Sequence, residues 1–405
     1  MAIIVYIHRV GLARVLPKIQ ESFDLESHHL GWLTAAFLIA YGGFEMPWGL
    51  AGDRWGVRHL LPLIVLAWSL VAGCVALAGS LAALLVLWFL FGLFQAGAFP
   101  LLSRMLTDWM PTHERGKAQG LIWMATRLGG MVIPLALGAL ITWCGNWETP
   151  LWIVAALGVL WSVAFWPWFR NRPEETPRVN RAECQLIELG RKTGAAGHGS
   201  VPWRQFLRSR SVWCLCLLYG CGGFAANFYV TLLPTYLNKH RHLSDADTSW
   251  LSGWPFLCGA VACLVGGLFS DAIIRSTGNR KWGRRFNGTV GTLVGGLGWL
   301  AITWVDSTWA LAFVLCLIFF CNDLAMGPAW AACADIGERM AGTLGGAMNM
   351  IGNLFGAAGG LLAGYLFKLD PDLLFNIYAI SFCLGGLCWQ GVDATQKLSS
   401  DGQTV

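Results

Sequence analysis

The stretch Gly52-Asp53-Arg54-Trp55-Gly56-Val57-Arg58 decides the fold, because it is a short charged turn between two long apolar runs. A looser copy, Gly267-Leu268-Phe269-Ser270-Asp271, lies in the second half of the chain and is followed by a basic segment. A second pair of related stretches, 114–120 and 338–346, is separated by nearly the same number of residues. The sequence therefore predicts that one half of the chain repeats the other, as in membrane transporters built from two bundles.

The composition favours a chain that faces lipid. Of its 405 residues, 56% are apolar and only 13% are charged, which is too few charges to cover a water-exposed surface. The 23 Trp and 50 Gly fit rings at the membrane interface and close helix packing. The net charge of +5 is spread along the chain, so nucleic acid is not an expected partner. The 13 Cys show no metal-ligand spacing and are read as free thiols.

Apolar runs of membrane length predict the helices, since about 20 residues cross the hydrocarbon core. Their approximate limits are 30–51, 59–79, 81–103, 117–142, 150–169, 212–237, 249–270, 287–305, 308–330, 342–367 and 371–392. A shorter apolar segment, 1–16, brings the count to twelve. At 1.5 Å per residue that first helix spans only about 24 Å, so we predict a truncated first helix and a start codon upstream of Met1.

Lys and Arg accumulate in the loops after the even-numbered helices, which predicts that both termini are cytoplasmic. The predicted division is an N-terminal six-helix bundle at 1–170, a cytoplasmic linker at 171–211, a C-terminal six-helix bundle at 212–393 and a cytoplasmic tail at 394–405. The tail is polar, and we expect it to be disordered.

The turn after the second helix resembles the signature of the major facilitator superfamily, and further stretches resemble its anion:cation symporter branch. These stretches are Tyr6-Ile7-His8-Arg9, Gln95-Ala96-Gly97-Ala98-Phe99-Pro100, Arg127-Leu128-Gly129-Gly130, Leu233-Pro234-Thr235-Tyr236-Leu237 and 277–285. The resemblance covers essentially the whole chain. It implies an all-α membrane protein with twelve transmembrane helices in two bundles. It also implies proton-coupled symport of a small organic anion, such as a hexuronate, galactonate or glucarate, across the cytoplasmic (inner) membrane.

Three positions depart from the family pattern. His8 and Gln95 stand where the family usually has acids that are associated with proton coupling, and Trp88 stands where it has an arginine. Arg9 and Tyr41 match positions that contact the anionic substrate in relatives. The resemblance thus supports an anion site but leaves the coupling mechanism open.

The residues themselves agree with an anion site. Arg9 is a cation in an apolar segment, which is costly unless it faces a wet cavity or a partner. A structural ion pair would explain it, but a guanidinium fork for a carboxylate is the preferred interpretation. Asn349 and Asn353 share one helix face, where they suit either substrate hydroxyls or contacts between helices. The predicted substrate-binding residues are Arg9, Tyr41, Gln95, Asn349 and Asn353.

Three other residues are candidates for carrying a proton. His8 can exchange a proton near neutral pH, although a lone His in a helix is more often only hydrogen-bonded. Glu45 is an acid one helical turn from Tyr41, and a structural hydrogen bond is the equal alternative. Asp323 contributes an acid from the second half. The sequence ranks His8 above Glu45.

A separate group of charges falls at the predicted cytoplasmic helix ends, where charge pairs can latch the two halves together. These residues are Asp53, Arg54, Arg58, Glu114, Arg115 and Asp271. Arg104 and Arg127, also read as near helix ends, are expected to act likewise or to snorkel.

The leading hypothesis is secondary transport by a monomer in the lipid bilayer, with an organic anion and protons as partners. Exchange or uniport is the alternative favoured by the missing acids, and a transport-dead sensor is a third. No P-loop, H-E-x-x-H motif or G-x-S-x-G motif with a suitable partner occurs, so an enzyme or an ATP-driven pump is not expected. No cofactor or metal is predicted.

Overall fold

A computed structural model describes residues 1–177, 179–188, 202–367 and 369–398. The described residues form helices without strands. They are α1 (Ala2–Ser22), α2 (Ser27–Trp55), α3 (Val57–Cys74), α4 (Leu81–Gln95), α5 (Ala98–Trp109), α6 (Arg115–Cys144), α7 (Glu148–Trp168), α8 (Arg181–Glu188), α9 (Trp203–Arg208), α10 (Arg210–Thr231), α11 (Leu233–Lys239), α12 (Asp245–Thr277), α13 (Arg280–Ala301), α14 (Thr308–Leu324), α15 (Met326–Gly337), α16 (Ala341–Leu366) and α17 (Pro371–Gly391).

Apart from α8 and α9, which lie in the linker, these helices form twelve membrane-length units in the described chain, which we call columns. Three columns consist of two helices each, because α4 continues into α5, α10 into α11 and α14 into α15. Eight stretches are long and apolar enough to cross a membrane, and one of them, Thr308–Leu366, holds two columns. The remaining columns, α1, α2 and α13, carry more charged and polar residues. The predicted all-α membrane fold is confirmed.

The columns pack as two six-helix bundles that repeat the same contacts. In the first bundle α2 packs on α4 and α3 on α7, and in the second α12 packs on α14 and α13 on α17. Two of the contacts between the bundles are related by the repeat: α2 packs on α16, and α6 packs on α12. Each joins the second helix of one repeat to the fifth helix of the other.

Three columns are broken where the sequence predicts continuous helices, and in one of them the run predicted at 212–237 divides at Leu232 into α10 and α11. The run predicted at 81–103 divides at Ala96–Gly97 into α4 and α5, and the run at 308–330 divides at Ala325 into α14 and α15. A Cβ atom on Gly97 would lie 2.9 Å from Ile64 and 3.0 Å from Trp48, so close packing requires glycine there. The breaks put Gln95 at the end of α4 and Asp323 one residue before the end of α14.

The predicted end of the first helix at residue 16 was wrong. The helix α1 runs through Pro17 to Ser22 and has 21 residues, which correspond to about 32 Å and match the hydrocarbon thickness. The polar residues after Pro17 were read as a loop, but Lys, Gln and Glu are good helix formers. The Trp147 indole donates a 3.2 Å hydrogen bond to Ser22 Oγ and holds this end against α7.

The segment after α17 was predicted to be disordered, but its described part is packed. Leu398 is buried and its backbone N–H donates a 3.0 Å hydrogen bond to the Ile336 carbonyl at the end of α15. Asp393 pairs with Lys281 at 2.9 Å. The tail contains too few apolar residues to show a hydrophobic periodicity, so its packing could not be predicted from the sequence. Residues 399–405 lie outside the described chain, as do 178 and 189–201 of the predicted linker, which otherwise contains α8 and α9.

Candidate functional site

Arg9 projects from α1 into a group of aromatic side chains. Its guanidinium carbon lies 4.4 Å from the centre of the Tyr41 ring and 5.5 Å and 5.9 Å from those of Phe37 and Tyr6. Such faces attract a cation, the more so where water is excluded. Arg9 Nε donates a 2.8 Å hydrogen bond to Gln95 Oε1. Within the described residues, Arg9 Nη2 is buried and has no hydrogen-bond partner, so one donor nitrogen is available to a ligand.

Gln95 orients Arg9 without neutralising it. Its amide nitrogen donates a 3.2 Å hydrogen bond to the Val5 carbonyl, which leaves the amide oxygen directed at Arg9. In the described part of the chain no carboxylate forms an ion pair with Arg9, although Glu45 and Tyr41 interact with it electrostatically. Gln95 therefore supplies Arg9 with an acceptor oxygen but with no negative charge.

Glu45 joins the two bundles instead of lining an open cavity. It is 0% exposed and accepts hydrogen bonds from the side-chain amide of Asn349 and, at 3.0 Å and 3.2 Å, from that of Asn353. The two Asn share one face of α16, as their spacing predicted. Their amides contact Glu45, so the structure favours the interpretation of contacts between helices over substrate hydroxyls.

A second polar contact between bundles lies at Asp323. Both of its oxygens accept hydrogen bonds from Arg127 on α6, at 2.5 Å from Nε and 2.8 Å from Nη2. Asp323 is 0% exposed, and the Arg127 side chain is 15% exposed. The expectation that Arg127 lies near a helix end was wrong, because α6 extends from Arg115 to Cys144 and Arg127 lies well inside it.

His8 faces away from Arg9. Its Nδ1 atom is 2.9 Å from the Ile4 carbonyl, and its ring meets the edge of Trp68 at 6.3 Å. A Cβ atom on Gly158 would lie 2.9 Å from the ring, so α7 closes over it. The side chain is 1% exposed, between α1, α3 and α7. The sequence ranks His8 above Glu45 as a proton carrier, and the contacts described for His8 all lie within the first bundle.

An aromatic layer separates these polar residues from the end of the bundles where Asp53 lies, which we call the Asp53 end. Phe99 stacks on Trp123 with ring centres 4.8 Å apart, and Trp330 of the other bundle lies 5.6 Å from Trp123. The Trp330 indole donates a 3.2 Å hydrogen bond to the Tyr219 hydroxyl. Sequence reasoning missed this layer, because single aromatics in apolar runs resemble ordinary core residues.

At the Asp53 end, two aspartates cap helices of the opposite bundle. Asp53 accepts from the backbone N–H groups of Gly342 at 3.0 Å and Thr343 at 2.6 Å, and from the Thr343 hydroxyl at 2.7 Å. Asp271 accepts from the N–H groups of Gly116 at 3.2 Å and Lys117 at 2.6 Å. The capped residues are the second and third of α16 and of α6. Both carboxylates thus meet a positive helix end.

Glycines permit this approach. A Cβ atom on Gly49 would lie 2.0 Å from the Gly342 carbonyl oxygen, and one on Gly267 would lie 2.2 Å from the Gly116 carbonyl oxygen. Real Cβ atoms do not come so close to backbone. The bundles are therefore closed against each other at this end by two repeat-related contacts.

A buried charge network surrounds the caps. Arg115 pairs with Asp335 at 2.8 Å, and Arg284 contacts both Asp335 at 3.0 Å and Asp271 at 2.7 Å. Arg104 donates hydrogen bonds to the carbonyls of residues 338 and 339, at 3.1 Å and 2.7 Å. The sequence signal for Asp335 and Arg284 was only that they are charges near predicted helix ends.

Three residues predicted for this latch are not brought into it. Arg54 is exposed and lies over the Trp55 ring, with 5.9 Å between the guanidinium carbon and the ring centre. The backbone N–H of Arg58 donates a 2.8 Å hydrogen bond to Asn171, within the same half. In the part of the chain that the structure describes, the side chains of Arg58 and Glu114 make no ion pair with the other bundle.

Comparison with known proteins decides the family. The sequence model of the Major Facilitator Superfamily matches residues 1–360. The chain belongs to this superfamily. A probable sulfoacetate transporter of Cupriavidus necator is 31% identical over 393 residues, which are 96% of this chain and 90% of that protein. A probable galactarate/D-glucarate transporter of Bacillus subtilis is 26% identical over 380 residues, 89% of this chain and 82% of the relative.

Solved structures agree with the fold. The human organic anion transporter MFSD10 superposes with a TM-score of 0.74 at 18% sequence identity, over 96% of this chain and 97% of that one. The family and these relatives are transporters, so this superfamily member is a multi-pass membrane transporter and not an enzyme.

Proposed function

We propose that the protein carries a small organic anion, a sugar acid or another carboxylate or sulfonate, by alternating access and in symport with protons. It acts as a monomer in the cytoplasmic membrane, with both termini in the cytoplasm. The names of the relatives support an anion as the substrate. The loop charges support the orientation.

The observation that carries the proposal is the state of Arg9. It is a cation held by a neutral amide and aromatic faces, with a buried donor nitrogen that has no partner in the described chain. A buried donor left unpaired is costly, so a ligand that accepts from it gains the full interaction. A planar carboxylate or a sulfonate supplies that acceptor together with the missing negative charge.

The contacts at the Asp53 end support the transport cycle. The two aspartate caps and the aromatic layer close the bundles on that side, which we take to be cytoplasmic, so the anion enters from the opposite side. Opening toward the cytoplasm requires release of both caps. In this scheme Asp53, Asp271 and Arg115 latch one state, while Tyr41 and Gln95 orient Arg9.

Proton coupling rests on an acid at the bundle interface. Glu45 and Asp323 both bridge the bundles, so a change in their protonation alters the contact that must break during transport. His8 is enclosed within its own bundle by α3 and α7 and, in the part of the chain that the structure describes, makes no such contact. Exchange or uniport is the second candidate, and the neutral Gln95 in place of the family acid favours it.

Uptake into proteoliposomes tests this proposal. The probes are sulfoacetate and a panel of sugar acids, with and without an inward proton gradient. We expect accumulation above equilibrium that a protonophore abolishes, and we expect His8→Gln to retain it. Uptake of an anion that ignores both the gradient and the protonophore would favour exchange or uniport. Uptake of none of the anions would reject the function.

A further inference from the structure

The pair formed by Arg127 and Asp323 has the geometry of an occupied anion site. Two parallel hydrogen bonds, 2.5 Å and 2.8 Å long, join a guanidinium fork of one bundle to a carboxylate of the other. This is the arrangement in which arginine binds a carboxylate ligand. The Asp323 carboxylate therefore stands where the anionic group of a ligand would bind Arg127.

Arg127 and Arg9 both lie close to Tyr6. The Tyr6 ring centre lies 5.9 Å from the Arg9 guanidinium carbon, and a Cβ atom on Gly129 of α6 would lie 3.2 Å from the Tyr6 Cβ atom. The Arg127 guanidinium carbon lies 6.0 Å from the centre of the Trp123 ring, which belongs to the aromatic layer that Trp330 and Tyr219 of the second bundle complete. The two arginines thus face one region between the bundles, above the aromatic layer.

The two arginines differ because their partners, which occupy corresponding positions of the repeat, differ in charge. Gln95 and Asp323 occupy corresponding positions, each five residues before the proline that follows the helix break, Pro100 or Pro328. Gln95 contacts Arg9 and Asp323 contacts Arg127. The neutral partner leaves the charge of Arg9 available, and the acidic partner masks that of Arg127.

We propose that Arg127 is a second substrate-binding residue, that Asp323 occupies it in the empty carrier, and that the substrate is a small dianion whose anionic groups bind Arg9 and Arg127. This rests on the proposed function and narrows its substrate class. One anionic group of the ligand uses the free nitrogen of Arg9, and the other displaces Asp323. Displacement breaks a contact between bundles, so binding energy is directed into the movement that transport requires.

Once the ligand displaces Asp323 from Arg127, the Asp323 carboxylate becomes a site that can take up a proton. A buried carboxylate that loses its counter-ion takes up a proton, because an unpaired buried charge is strongly unfavourable. The groups that face Asp323 are Arg127 on α6, Cys263 on α12, Tyr229 on α10 and Asn322 on its own helix. Among these described groups, Arg127 alone carries a positive charge that could keep the carboxylate ionised. One proton therefore enters with each dianion.

Galactarate and D-galactonate test the proposal, since they share a six-carbon chain and differ in whether the second end is a carboxylate or a hydroxymethyl group. Sulfoacetate and acetate form a smaller matched pair. Binding to the purified full-length carrier is measured by titration calorimetry. We expect each dianion to bind at least about tenfold more tightly than its monoanion, because only the dianion has a second anionic group that can replace Asp323 on Arg127. Buffers of different ionisation enthalpy should report the uptake of one proton.

The decisive variant replaces both partners, Arg127→Gln with Asp323→Asn, so that no buried charge is left unpaired. We expect it to fold and to lose both the preference for galactarate over D-galactonate and the proton uptake. Asp323→Asn alone should keep tight galactarate binding but take up no proton. A double variant that still prefers galactarate over D-galactonate would overturn the proposal. Wild-type protein that binds both anions equally would also overturn it. Wild-type protein that binds no anion would reject the proposed function as well.

Discussion

At the scale of single residues, one missing charge has the largest consequence. A glutamate at position 95 would form an ion pair with Arg9, whereas Gln95 supplies the same acceptor oxygen and no charge. Arg9 then has cation–π contacts but no carboxylate within ion-pair distance in the described chain, and this is why we propose that an anionic ligand completes the site. The balance differs at Arg127, where Asp323 is both partner and competitor.

Two substitutions that change the charge or the geometry at Arg9 should both weaken anion binding. Gln95→Glu should weaken anion binding at least about tenfold, because the new carboxylate competes for Arg9, and should raise the midpoint of thermal unfolding. Arg9→Lys should also bind poorly, since an ammonium lacks the two-pronged geometry. Binding by titration and unfolding by differential scanning fluorimetry measure both effects. A Gln95→Glu carrier with unchanged affinity would show that Arg9 does not contact the anion.

At the scale of helices, the sequence predicted the columns well and their interruptions poorly. Apolar runs define where helices cross the bilayer, but the breaks at Ala96–Gly97 and Ala325 lie inside those runs, and the polar residues beside them, Gln95 and Asp323, do not by themselves predict an interruption. The two positions of the repeated turn, Asp53 and Asp271, were predicted as a latch, and the structure brings both to helix ends of the opposite bundle. Their amide partners could not be predicted, since a backbone N–H leaves no trace in the sequence.

The sequence likewise did not predict the partners of the charged residues at the centre of the molecule. Arg9, Glu45 and Asp323 could be identified as candidates because they are charged residues in apolar runs, where burying a charge is energetically unfavourable unless it has a partner or a functional role. Which partner each finds depends on how the bundles meet, and the sequence contains that only indirectly. For Asn349 and Asn353 the sequence therefore left substrate hydroxyls and contacts between helices as alternatives, and in the structure their amides donate to Glu45.

The close contacts between helices predict the effect of a single methyl group. Gly49→Ala should force α2 away from the start of α16, because the added Cβ would lie 2.0 Å from the Gly342 carbonyl oxygen. We expect slower anion exchange and greater protease access at the Asp53 end. Gly43→Ala is the matched control on the same helix, since nothing lies within 4 Å of its Cβ. Equal behaviour of the two variants would mean that this contact does not limit the cycle.

At the scale of the whole molecule, two equivalent contacts control one movement. Asp53 belongs to the first bundle and caps α16, while Asp271 belongs to the second and caps α6. If the bundles move as rigid bodies, the two caps open together, because neither helix end can leave its aspartate without separation of the bundles. If the bundles deform locally, each cap opens alone.

Amide hydrogen exchange distinguishes these cases, since the N–H groups of Gly342, Thr343, Gly116 and Lys117 are protected only while the caps hold. Asp271→Asn weakens a charge-assisted contact by about 1 to 2 kcal/mol. We expect faster exchange at residues 342 and 343 as well as at 116 and 117, by roughly fivefold to thirtyfold.

The matched control is Asp306→Asn, an exposed acid in the loop before α14, which should leave all four amides unchanged. Rigid-body motion requires the reciprocal result from Asp53→Asn, namely faster exchange at 116 and 117, because both caps bias the same equilibrium. Acceleration confined to the amides that the altered aspartate contacts would show that the caps open independently. In that case the symmetry of the two contacts would be a feature of the repeat with no role in coordinating the bundles.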